Sequence, residues 1–179
     1  MRVQYLLTAL LLACLSNISL AASKVEIDAR IDATLNEFYQ HVPEGKALAR
    51  KAKGVLIFPQ VIKAGVGIGG EYGEGALQIG GKPVAYYSTA GASIGFQLGA
   101  QMKSQIILFM DTQTLQQFRN SEGWKVGVDG SVAIAEFGAG KDLDSNTLKQ
   151  PVIGFIFSNK GLMYDLSLEG SKFTRIIRE

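Results

Sequence analysis

Apolar residues first recur in a helical rhythm at Ile27, Ile31, Leu35, Phe38 and Val42. Spacings of four, four, three and four put them on one stripe of an α-helix, with Glu26, Arg30 and Glu37 left to water. Ser23, three residues ahead of Glu26, is a capping box that starts this helix. Pro43 ends it, because the residue before a proline is biased out of the helical region. A second, shorter helix is expected over 44–53, stopped by Gly54.

From Val55 the period changes to two. Residues 55–59 read as a buried strand closed by Pro59. Over 63–79 the odd positions carry Gly65, Gly67, Gly69, Glu71, Gly73 and Gly75, while the even positions begin with Val66 and Ile68. One strand face is almost bare. The pattern returns over 91–102, where Ile94, Phe96, Leu98 and Met102 oppose Gly91, Ser93, Gly95 and Gly99, and again over 126–134. Such faces predict either a strongly curved sheet or helices packed close on the bare side. Turns are expected at 80–83 and 159–161, a short buried strand at 106–110, and a closing hairpin from 152–157 and 162–168. Asp111 caps a predicted helix over 112–120 that buries Leu115 and Phe118. Helices first and strands afterwards give an α+β class: N-terminal helices followed by a curved, mostly antiparallel, glycine-rich sheet.

The first residues have a different logic. Arg2 precedes an apolar run over 5–15, and a polar stretch then ends in Ser19, Leu20 and Ala21. This is the form of a secretory signal peptide, too short in its apolar core to span a bilayer comfortably. Cleavage is expected after Ala21, leaving residues 22–179 as one domain in the periplasm or the outer envelope. Leu11-Leu12-Ala13-Cys14 offers an alternative, a lipobox in which Cys14 carries the lipid. Cys14 is the chain's one cysteine, so cleavage after Ala21 leaves no disulfide chemistry.

Charge excludes more than it assigns. A net charge of +2 on 179 residues gives no general affinity for nucleic acid. Lys46, Arg50 and Lys53, at i, i+4 and i+7, make one basic face of the second helix, with Lys63 a further candidate. A face of that kind suits anionic phospholipid headgroups; a merely solvated face is the plainer alternative.

Other motifs dissolve on inspection. Residues 65–70 satisfy GxGxxG, but more glycines at period two follow and no helix does, so nothing would receive a pyrophosphate. His41 is the only histidine and has no partner for a metal site or a triad. Glu71, Glu74, Asp142 and Asp144 read as surface charge, and 142–146 lacks the glycine and the final glutamate of a calcium loop. No cofactor or metal is expected, and no enzymatic activity.

Residues 51–59 running into 63–70, together with 91–101, 127–135, and Gly161-Leu162 with 167–171, resemble the signature of SYLF domains. The resemblance spans roughly 35–171. It implies binding to membrane lipids, phosphoinositides in eukaryotic members, with actin binding in some yeast relatives. Bacterial members similar to this chain are exported and regarded as phospholipid-binding, and the export signal argues against actin as a partner. Many relatives run on to an aromatic-rich tail beyond the point matching Glu179, and the family brings no catalytic residues to carry over. The expectation is an exported domain that binds anionic phospholipid at the envelope membrane through Lys46, Arg50, Lys53 and Lys63. Its rival is a structural envelope protein that contacts other proteins and meets lipid only incidentally.

Overall fold

Helix α1 (Lys24–His41) forms where the apolar stripe places it, with the Ser23 side chain accepting the Glu26 amide at 3.3 Å and Val42 as C-cap. The computed structural model describes residues 22–95, 100–135, 145–158, 161–162, 168 and 170–178. Ile27, Ile31, Phe38 and Val42 are buried, and Glu26 pairs with Arg30 on the outer face. Helix α2 (Gly45–Lys51) is shorter than expected. Ala52 turns extended and the Lys53 amide bonds to the Phe109 carbonyl, so the chain has already left the helix to join the sheet. Gly54 is therefore no helix stop. It opens a strand, and a Cβ there would lie 2.8 Å from Leu115.

Strand β1 (Gly54–Ile79) is one continuous element, and Pro59 does not close it. Pro59 and Gln60 sit where Phe58 pairs with Gln105 and Val61 with Lys103, two residues against Ser104 alone. A bulge of this kind is where a strand tolerates a proline, and the Ser104 hydroxyl donates to the Pro59 carbonyl at 2.9 Å. At Gly80 and Gly81, both with positive φ as a tight hairpin turn requires, the chain reverses into β2 (Lys82–Gly95). β2 runs antiparallel along the second half of β1, and β3 (Ala100–Phe109) along the first half. Of the strand expected over 91–102, residues 91–95 belong to β2 and 100–102 to β3; residues 96–99 lie outside the described residues.

This long hairpin is folded on itself. A Cβ on Gly69 would meet the Ala64 carbonyl oxygen at 2.5 Å, one on Gly73 the Gln60 carbonyl oxygen at 2.6 Å, and one on Gly75 would overlap the Ile57 carbonyl. The bare face therefore packs against the first half of its own strand, which is how the sheet curls.

Helix α3 (Thr112–Asn120) starts where Asp111 Oδ1 accepts the Thr114 amide at 2.7 Å, and it buries Leu115 and Phe118. β4 (Trp124–Lys125), β5 (Ala133–Ile134), β6 (Val152–Ser158), β7 (Gly161–Leu162) and β8 (Lys172–Ile176) complete an eight-stranded sheet. Its order is β4-β8-β2-β1-β3-β6-β5, with β7 on β6; only β5 and β6 run parallel among these pairs. The strand expected over 126–134 is largely a turn. Gly127 takes φ +85°, its amide bonds to the Gly130 carbonyl at 2.9 Å, and Val128 is left 71% exposed. Of the last expected strand, β7 pairs with β6 as foreseen; 163–167 lie outside the described residues.

The curled sheet separates two cores. On one face α1 and α2 press Ile31, Phe38 and Leu48 onto Ile57, Ile106 and Phe155. On the other, Phe118 gathers the rings of Tyr87, Phe109, Trp124 and Phe173 at centroid distances of 4.7–6.3 Å. The architecture is α+β, helices followed by a curled, mostly antiparallel half-barrel.

Candidate functional site

At the end of the molecule where α2 meets the β1–β2 turn lies a groove of about 370 Å³. Leu35, Tyr39, Ala49 and Val55 supply an apolar floor, Gly80 and Gly81 one wall, and Arg50 the charge. Burial raises the Tyr39 phenol pKa, and the Arg50 guanidinium opposes that rise. Lys46 and Arg50 are exposed one turn apart on α2. Lys53 is also exposed, but stands beyond the helix in the bend before β1. Three cations on one helical face are therefore not what the fold builds; there are two, with a third beside them. Lys63 lies nine residues along β1, about 30 Å away at strand rise. It belongs to no common site with the others.

Two carboxylates expected at the surface are buried instead, on opposite faces of β1. The Glu71 side chain, 8% exposed, accepts Lys103 Nζ at 2.7 Å, with the Ser171 hydroxyl at 3.4 Å. Lys103 reaches it from β3 across the fold of the hairpin. Nearby on the same face Gln105 and Thr89 are fully buried, and their side-chain polar atoms have no hydrogen-bond partner among the described residues. Glu74, also 8% exposed, accepts Tyr72 Oη at 2.7 Å, Arg178 Nε at 3.0 Å, and Arg178 Nη2. Burial pushes the Glu74 carboxyl up, but hydrogen bonds from Arg178, Tyr72 and the Ala22 amide outweigh it and hold its pKa below the usual range. These are locks on the curled sheet, and they do not assemble an acid–base pair.

A second cationic feature went unread in the sequence. Lys125 on β4 and Lys172 on β8 pair directly across the ladder, both exposed, without an ion-pair partner among the described residues. Like charges directly opposite cost stability. They flank an open notch of about 670 Å³ with small walls at Gly91, Gly123 and Gly170. Only strand pairing brings residues 47 positions apart together, so no local spacing could have announced them. His41, exposed at the end of α1, hydrogen-bonds to the Glu37 carbonyl at 2.9 Å. Asp142, Asp144 and Cys14 lie outside the described residues. Among the described residues no three His, Cys, Asp or Glu side chains gather as a metal site would need, and no helix is long and apolar enough to cross a membrane.

A helix-backed sheet curled around a folded glycine hairpin, with an open groove at one end and a notch at the other, defines a class of α+β domain. Residues 90–176, from the middle of β2 to the end of β8, match the family model described as Ysc84, Las17-binding protein actin regulator. Those residues are similar to this family, and the match supports the SYLF-domain resemblance carried by the sequence blocks. The match takes in Lys125 and Lys172 and leaves α1, α2 and their cations outside it. Among curated proteins none matches the chain.

Proposed function

We propose that this protein is an exported SYLF domain that binds the anionic phospholipid surface of the cell-envelope membrane, acting by association and without covalent chemistry. The observation that carries the reading is the α2 groove, an apolar floor with Arg50 on it and Lys46 and Lys53 beside it. Acyl or glycerol carbons suit such a floor, and phosphates suit the cations. Each cation near an anionic surface contributes about 1 kcal/mol, so three give roughly a hundredfold preference over neutral lipid. That attraction is screened over about 10 Å at 0.1 M salt. The periplasm, or the outer envelope with Cys14 lipidated, is the compartment the leader supports. The family's link to actin regulation does not suit an exported chain.

Vesicle co-sedimentation tests this. Binding to phosphatidylglycerol vesicles should exceed binding to phosphatidylcholine vesicles and fall steeply as salt rises. A folded Lys46→Glu, Arg50→Glu, Lys53→Glu variant should lose most of it. A Lys125→Glu, Lys172→Glu variant is the counterpart at the other end of the sheet. If only the second variant loses binding, the membrane meets the notch and not the groove. If the parent does not distinguish the two vesicles, the rival reading of a structural envelope protein takes over.

A further inference from the structure

An ionised carboxylate offers about four lone-pair sites. At Glu74, Arg178 takes two and Tyr72 one, and the backbone N–H of Ala22, in the same cleft, helps to hold the carboxyl's pKa down. Ala22 and Glu74 line one cleft between the start of α1 and β1, together with Tyr72, Glu26 and Arg30. Ser23, the N-cap of α1, directly follows Ala22 and fixes the backbone there in an extended conformation. The leader's ending in Ser19 and Ala21 independently makes Ala22 the first residue of the processed chain. Two separate readings meet on one atom, the Ala22 nitrogen.

We propose that Glu74 is the receiving site for the chain's own processed N-terminus, so that removal of residues 1–21 ties the new end of the chain into the fold. The inference rests on the export reading above. A signal-processing peptidase adds water across the Ala21–Ala22 bond. The released leader leaves as a carboxylate, and the Ala22 nitrogen gains protons to become an α-ammonium at neutral pH. An amide N–H on Glu74 is thereby replaced by a full positive charge. The first and last described residues of the domain, Ala22 and Arg178, then hold the same carboxylate on β1. A precursor without that charge is held less tightly, which suits a chain that must cross a membrane unfolded.

The neighbouring charges decide how the site is tested. From α1 come Glu26 and Arg30, paired with each other, and exposed Lys24; from β1 come Glu74 and Tyr72; from the chain end comes Arg178. Arg178, Lys24 and the positive end of the α1 dipole all oppose a new cation. Glu74, and more weakly the Arg30-paired Glu26, favour it, so the decisive quantity is the difference between the parent and Glu74→Gln.

The protein is purified from the envelope fraction of cells exporting it, and its N-terminus is read by intact mass. The α-amine is then titrated by pH-dependent acylation in the parent and in Glu74→Gln. An ordinary α-amine titrates at about 7.7–8.0, and an opposite charge within hydrogen-bond reach raises it by one unit or more. The expected result is a chain beginning at Ala22 whose amine titrates about one unit higher in the parent than in the variant. Should Glu74→Gln fail to fold, Nα-acetylation of the processed parent replaces it. A raised folded pKa stabilises fully below pH 8 and is lost as pH rises through it. Acetylation should therefore lower the melting temperature at pH 6 and leave it unchanged at pH 10. A chain that begins at Ala22 but shows neither difference overturns the inference and leaves export standing. A chain that begins at Met1, or at a lipidated Cys14, overturns both.

Discussion

The two faces of the sheet are built by different means. Under α1 and α2 the core is a helix laid on strands: Ile27, Ile31, Phe38 and Val42 against Val55, Ile57, Ile106 and Phe155. Its polar contacts stand at the margin: Tyr86 Oη donates to both Asp28 oxygens at 2.8 and 3.0 Å, and Glu74 pairs with Arg178. The opposite face is enclosed by the sheet folding over itself, with the short helix α3 closing one side. It holds an aromatic cluster around Phe118, a buried ion pair, two unpartnered polar side chains, and glycines pressed against backbone. Side chains on a helix-covered face have neighbours that can yield by small rotations. Backbone against backbone has none, so the curled face should be less tolerant of change, though its residues are smaller.

The sharpest test of that contrast is the ion pair. Lys103→Met leaves Glu71 buried without its cation and should cost about 3–5 kcal/mol. Replacing both partners, with Glu71→Leu added, should recover most of that loss in urea unfolding, because two desolvation penalties vanish together. Equal instability of the single and double variants would mean that shape rather than charge matters at this position.

Next comes the glycine face. Gly75→Ala places a Cβ on the Ile57 carbonyl and should cost about 3 kcal/mol, the upper end of ordinary overpacking. Gly70→Ala, on the other side of the same strand, has Gly91 O at 3.7 Å as its nearest neighbour and should change stability by less than about 0.5 kcal/mol. Similar effects at both positions would show that the fold of the hairpin opens easily in solution.

On the helix-covered face the effects should be smaller. Tyr86→Phe should cost about 1.5 kcal/mol, the order of a hydrogen bond to a charged group. Burial and the Asp28 bond raise the Tyr86 phenol to about 12. A raised folded pKa stabilises fully below the unfolded value near 10 and loses that stabilisation as pH rises through 12. The gap between parent and Tyr86→Phe should therefore close between pH 10 and 12 in denaturant titrations; a gap constant across that range would rule out this hydrogen bond as its source. Ser23→Ala, removing the N-cap of α1, should cost about 1 kcal/mol. No loss would mean that packing alone sets where α1 begins.

Much of this molecule was written locally. A stripe at spacings of three and four can be buried in only one way, and Ser23, Asp111 and the Gly80-Gly81 turn act on backbone within a few residues of themselves. Those elements, the order of helices before strands, and the existence of a bare glycine face all follow from short-range stereochemistry. Local pattern failed where a tertiary partner overruled it. Pro59 reads as a stop until Ser104 is placed opposite the bulge, and 126–134 reads as a strand although Gly127 turns the chain. The candidate site divides in the same way. Lys46 and Arg50 share a face because helical spacing is local, whereas Lys53 was lost to the pull of the Phe109 carbonyl. Lys125 beside Lys172, and Ala22 beside Glu74 and Arg178, join residues tens of positions apart. What the bare face packs against was likewise decided in three dimensions, because residues 64–69 bend and bring Gly75 onto Ile57. Side-chain period is a property of one strand. Which distant strand or chain end covers it depends on how the whole hairpin closes.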